Sequence, residues 1–194
     1  RDEGESGQLP MKKSLMNTRV GALFAARESS DRDAAYPAFV DLMALADKPV
    51  GWSYEVWDRL VGDLSHRDGH RRAFAAQMLA RLAISDPENR MRRDFAALAA
   101  VMKDEKTVTA RHALQSIWRV GLAGPDRLVL VLDALTKRFR GCPSGKHPSL
   151  VRTDVVTALG HLLRATGDPR VEARAESLIA SEKNEKARKK QSSS

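Results

Sequence analysis

One pattern of small and apolar positions recurs along this chain at intervals of 39, 38 and 42 residues. It runs through Asp33, Tyr36, Phe39, Val40 and Met43; then Arg72, Ala75, Met78, Leu79 and Leu82. It returns as Ala110, Ala113, Ser116, Ile117 and Val120, and last as Arg152, Val155, Ala158, Leu159 and Leu162. Members stand at +3, +6, +7 and +10 from the first, which is one stripe of an α-helix. A second amphipathic segment precedes each phrase. A repeat of about 40 residues built from two helices predicts stacked helical hairpins, because one hairpin cannot bury its apolar face alone.

Proline marks the expected helix starts at Asp86-Pro87, Gly124-Pro125 and Asp168-Pro169, where its missing N–H costs nothing, and Asp86 and Asp168 can act as N-caps. These stops predict helices over about 12–28, 32–47, 53–66, 69–85, 87–103, 106–123, 126–140, 149–166 and 169–187, which makes four hairpins and a closing helix. No segment alternates strictly between apolar and polar. The β-branched run Val129 to Leu132 lies inside a helix-period pattern of Leu128, Val131, Leu132, Leu135 and Phe139. The expected domain covers residues 11–187. Residues 1–10 lack an initiator Met and read as an appended or disordered segment, and 188–194 read as a disordered basic tail.

The second helix of each hairpin resembles that of HEAT repeats, which carries an Arg followed by small residues and Leu. The matching stretches are Arg72-Ala73-Phe74-Ala75-Ala76-Gln77-Met78-Leu79 and, more loosely, Arg152-Thr153-Asp154-Val155-Val156-Thr157-Ala158-Leu159. The resemblance covers residues 30–180 and implies an all-α fold, an α-solenoid of about four hairpins plus a C-terminal helix. The third phrase departs from it with Ala110 where the Arg stands, and the first with Asp33. The superfamily serves scaffolds, transport factors and a few enzymes, so the resemblance does not fix a function.

Composition agrees with a helical core: 42% of the residues are hydrophobic but only 5% aromatic. Net charge is +8, from 33 Lys and Arg against 25 Asp and Glu, which suits an acidic protein or a nucleic acid as partner. The segment from Ser181 carries Lys183, Lys186, Arg188, Lys189 and Lys190 against Glu182 and Glu185, so the body is only mildly basic. One cysteine, Cys142, cannot form an internal disulfide. No apolar run approaches the roughly 20 residues that span a bilayer. A cytoplasmic protein with no membrane and no disulfide-linked partner is the expectation.

Aligning the phrases places three polar rows beside the core stripe. Phe74, His112 and Asp154 form the first, Gln77, Gln115 and Thr157 the second, and Arg81, Arg119 and His161 the third. Spacings of i, i+3 and i+7 put the rows on one helix face. In HEAT-like arrays the second helices line the concave surface, so the resemblance implies a ladder of binding groups there.

A second basic cluster surrounds Gly141 to Pro148, where Arg138, Arg140, Lys146, His147 and Arg152 flank the expected N-terminus of a helix that could hold a phosphate. This is not a nucleotide-binding loop: three residues separate Gly141 from Gly145, no Ser or Thr follows Lys146, and a helix precedes it. Cys142 and His147 have no second pair at zinc spacing, and no His-Glu dipeptide exists to match the di-iron hydroxylases built on HEAT-like repeats. No metal or cofactor is expected.

Trp52, Tyr54 and Trp57 crowd one helix start. Trp118 is equivalent to Ala80 and Gly160, on the side facing neighbouring hairpins, and is expected to fill volume there. Together these features read as a non-enzymatic module that binds an acidic protein segment, or a nucleic acid, on its concave face. The alternative is a HEAT-like DNA glycosylase for alkylated DNA, with Asp154 as the one carboxylate of the ladder.

Overall fold

The computed structural model describes residues 18–142 and 147–182. Among them every regular element is helical. α1 (Thr18–Glu28), α2 (Arg32–Ala46), α3 (Ser53–Asp63), α4 (Gly69–Leu82) and α5 (Arg90–Ala100) are followed by α6 (Thr107–Ser116), α7 (Pro125–Gly141), α8 (Pro148–Thr166) and α9 (Pro169–Ala180). Short 3₁₀ segments, Ala83–Ser85, Val101–Lys103 and Ile117–Ala123, extend α4, α5 and α6. The protein is all-α, and none of its described helices is long and apolar enough to cross a membrane.

Helix starts follow local chemistry. Asp168 accepts the Arg170 N–H at 2.8 Å ahead of Pro169, and Pro125 opens α7 after Gly124, whose φ of 139° suits a residue without Cβ. The predicted start at Pro87 is corrected to Arg90. Buried Asp86 reaches past the intervening turn and accepts the N–H groups of both Arg90 and Met91 at 2.8 Å, while Asn89 takes a left-handed conformation.

Packing is layered by chain order. α2, α4, α6 and α8 neighbour one another in series, as do α3, α5, α7 and α9. Close approach of α4 to α6 depends on Gly69: a Cβ there would lie 2.8 Å from both Lys106 Cδ and Thr109 Oγ1, and the Thr109 hydroxyl donates to the Gly69 carbonyl at 3.1 Å. Three arginine–carboxylate pairs link segments 30 to 43 residues apart. Arg72 pairs with Asp104, Arg111 with Asp154, and Arg152 with Glu182.

Phrases two, three and four bury their stripes as expected, from Ala75 to Leu82, Ala113 to Val120 and Val155 to Leu162. The first does not. Tyr36 is 71% and Val40 45% exposed, whereas Leu42, Met43 and Ala46 are buried. Its phrase therefore starts at Tyr36 and continues through Phe39, Leu42, Met43 and Ala46, which shortens the first interval from 39 to 36 residues. A shift of three positions keeps nearly the same helix face, so apolar periodicity alone did not separate the two registers.

Trp52 and Trp57 are core residues. The Trp57 indole donates to Asp94 at 2.9 Å, and the Tyr54 hydroxyl donates to Asp86 at 2.6 Å. Leu79, Ile117 and Leu159 are almost wholly buried at equivalent positions. Truncation of any one to Ala is expected to cost about 2–5 kcal/mol in denaturant unfolding. Three unchanged midpoints would contradict this register.

Candidate functional site

The third row of the ladder comes together. Arg81 on α4 and Arg119, two residues into the 3₁₀ segment after α6, both reach Oδ1 of Asp47, the C-cap of α2. Arg119 Nε donates to it at 2.9 Å. Arg81 Nε lies 3.1 Å from the same oxygen without hydrogen-bond alignment, and its Nη1 donates to the Gln77 carbonyl at 3.2 Å. Burial, with repulsion from Arg119, pushes Arg81 down to about 10, so it remains a cation at neutral pH. One carboxylate thus holds two guanidinium groups, which leaves one net positive charge.

The Arg119 guanidinium lies 4.5 Å above the Trp118 ring. That ring stacks on His161 of α8 with centroids 5.4 Å apart and planes 23° from parallel. Trp118 is half-buried against the core and carries this row from one hairpin to the next. The Arg164 guanidinium closes the group 3.0 Å from His161 Nδ1. The arginines are less open than the ladder implied: the side chains of Arg81 and Arg119 are 12% and 21% exposed.

The second row is polar and accessible. Gln115 is exposed and Gln77 and Thr157 are half-buried, with the Gln77 amide donating to the Ala73 carbonyl at 3.2 Å. In the first row only His112 is exposed. Phe74 is corrected from groove to core: α1 and α2 cover it with Phe24 and Phe39, and Arg27 caps its ring at 3.9 Å. Asp154 is also buried. It accepts two hydrogen bonds from Arg111, at 2.8 and 3.1 Å, and one from Gln115 at 3.1 Å, so it is a structural carboxylate closed to a ligand.

The second basic cluster does not converge on one anion. Arg152 is committed to Glu182, with Nη1 2.6 and 2.8 Å from its two oxygens. Arg138 donates from Nε to the Met102 carbonyl at 2.9 Å, Arg140 is exposed, and His147 is exposed in a left-handed conformation ahead of Pro148. Lys146 lies outside the described residues. Cys142 is wholly buried, with Sγ 2.9 Å from the Phe139 carbonyl. Among the described residues no three metal-binding side chains cluster.

Repeat alignment missed Asp47, Arg111 and Arg164. Asp47 follows the end of a helix and belongs to no repeated row, and its role appears only when chain segments 72 residues apart meet. Arg111 could have been found as the residue beside His112 once Asp154 was known to be buried.

His112 and His161 are both depressed below the ordinary imidazole value, chiefly by burial among neighbouring helices and then by adjacent cations, although each keeps an exposed edge. Their neutral forms favour the fold above about pH 6.5, and that contribution is lost as pH falls through their lowered values. The melting temperature is therefore expected to drop from pH 7 to 5, with a flatter profile in His112→Gln/His161→Gln; identical profiles would contradict the assignment. Comparison of the chain with protein-family models, with curated proteins and with solved structures finds no match.

Proposed function

We propose that the chain is a non-enzymatic binding module, an α-solenoid of about four HEAT-like hairpins with a closing helix, that holds an acidic protein segment on a concave face formed by α4, α6 and α8. The three arginine–carboxylate pairs and the serial contacts of the even-numbered helices support the solenoid reading. The observation that carries the binding reading is the continuous row from Arg81 through Arg119 and Trp118 to His161 and Arg164, which spans three hairpins and in which Asp47 holds both Arg81 and Arg119. Groups already held in place lose little side-chain entropy on binding.

Charge favours a peptide over a nucleic acid. Arg111 is matched by Asp154 and the Arg81/Arg119 pair is half-matched by Asp47. A phosphate backbone rewards many unmatched cations, each worth a salt slope of about −0.9 on duplex DNA. An acidic segment needs fewer, and the exposed amide of Gln115 can also bond a peptide backbone. The single cysteine is consistent with a reducing cytoplasmic setting.

The test titrates a fluorescent Glu/Asp-rich peptide into the protein and into His112→Glu/Arg164→Glu, with duplex DNA in parallel. Both substituted residues are exposed, so the helical spectrum should persist. Peptide affinity is expected to fall about tenfold or more, equivalent to 1.4 kcal/mol, while DNA stays weak. Unchanged peptide affinity, or DNA bound more tightly than peptide, would overturn the reading.

A further inference from the structure

Two junctions between hairpins are closed alike. Arg72, first member of the second phrase, bonds Asp104 32 residues on, with Nη2 to Oδ1 at 2.8 Å. Arg152, first member of the fourth, bonds Glu182 30 residues on. In the third phrase the same place is Ala110, and 32 positions further stands Cys142; both are buried and uncharged. No arginine stands at this place in the third phrase, where the neighbouring Arg111 ties α6 to Asp154 of α8 instead, and Ala110 lines an open pocket.

A pocket of about 480 Å³ lies there, within the range of small-molecule sites. Ala110, Leu114, Leu150 and Val151 give it an apolar wall. Arg138 enters from α7. Its Nε is held by the Met102 carbonyl, and among the described residues its guanidinium forms no ion pair. Burial lowers its pKa, as expected for a cation whose lost hydration is not replaced by a carboxylate. Lys103 adds positive charge at the rim. Of the two acids there, Asp104 is neutralised by Arg72, and Glu105 is exposed.

We propose that this pocket binds a small amphipathic anion, one carboxylate or phosphate on a short apolar body, with the anion on Arg138 and the body against Ala110, Leu114 and Leu150. It lies between α6, α7 and α8 at the junction of the third and fourth hairpins and does not depend on the peptide-binding face.

The test follows protein NMR shifts during titration with phenyl phosphate and with hexanoate, which separate the two anion types. Inorganic phosphate and hexanol are controls for charge alone and apolar body alone. Saturable binding of either amphipathic anion, with both controls at least tenfold weaker, is expected. Arg138→Gln should weaken it tenfold or more. Ala110→Arg/Cys142→Asp, which places an arginine–carboxylate pair there and fills the pocket, should abolish it and raise the melting temperature. Lys103→Glu gives an independent charge reversal if Arg138→Gln does not fold, and should also weaken binding. The proposal is overturned if neither anion binds at millimolar concentration, if hexanol binds equally well, or if the Ala110→Arg/Cys142→Asp variant folds and binds unchanged.

Discussion

The arrangement depends on guanidinium groups that reach from one hairpin to a carboxylate of another. Arg72, Arg111 and Arg152 each do this, onto Asp104, Asp154 and Glu182. An apolar stripe tolerates sliding, because one Leu or Ala can replace another in the next groove. A planar fork bonded to a carboxylate does not, since its donors fit one geometry. Displacement by a helical turn would leave a largely covered carboxylate without its partner, which is strongly unfavourable. Apolar burial thus drives the helices together, and the ion pairs specify the register.

This use of arginine bears on function. The chain is basic overall, but much of its positive charge is spent inside the fold. Arg111, Arg152 and Arg72 are matched by buried or half-buried acids, and the two best-placed cations of the ladder share Asp47. Net charge of +8 therefore overstates the field that a ligand meets at the face. What remains is a short row of partly neutralised cations beside two histidines and an exposed amide, the surface on which the proposed acidic segment would bind.

Helix positions and the buried stripes of three phrases were legible in the sequence because both arise from local periodicity and capping. Leu79, Ile117 and Leu159 fell where the pattern placed them. The errors share a different origin. Phe74 reads as a surface neighbour of Gln77 until α1 and α2 fold over it, and the first phrase fits two registers three residues apart. Asp154 reads as a groove carboxylate until Arg111 meets it from another hairpin. Repeat alignment assigns a face to each residue, and a partner from outside that repeat can cover the face. Ala110 was visible as a departure from the pattern, but its consequence required knowing where Arg72 and Arg152 go.

The central claim is that one face across α4, α6 and α8 acts as a single binding surface. Backbone amide shifts mapped during titration with an acidic peptide test it most directly. The account predicts a contiguous band of perturbation through Gln77, His112, Gln115, Arg119, His161 and Arg164. Perturbation confined to α3, α5, α7 and α9, or scattered over both layers, would contradict it.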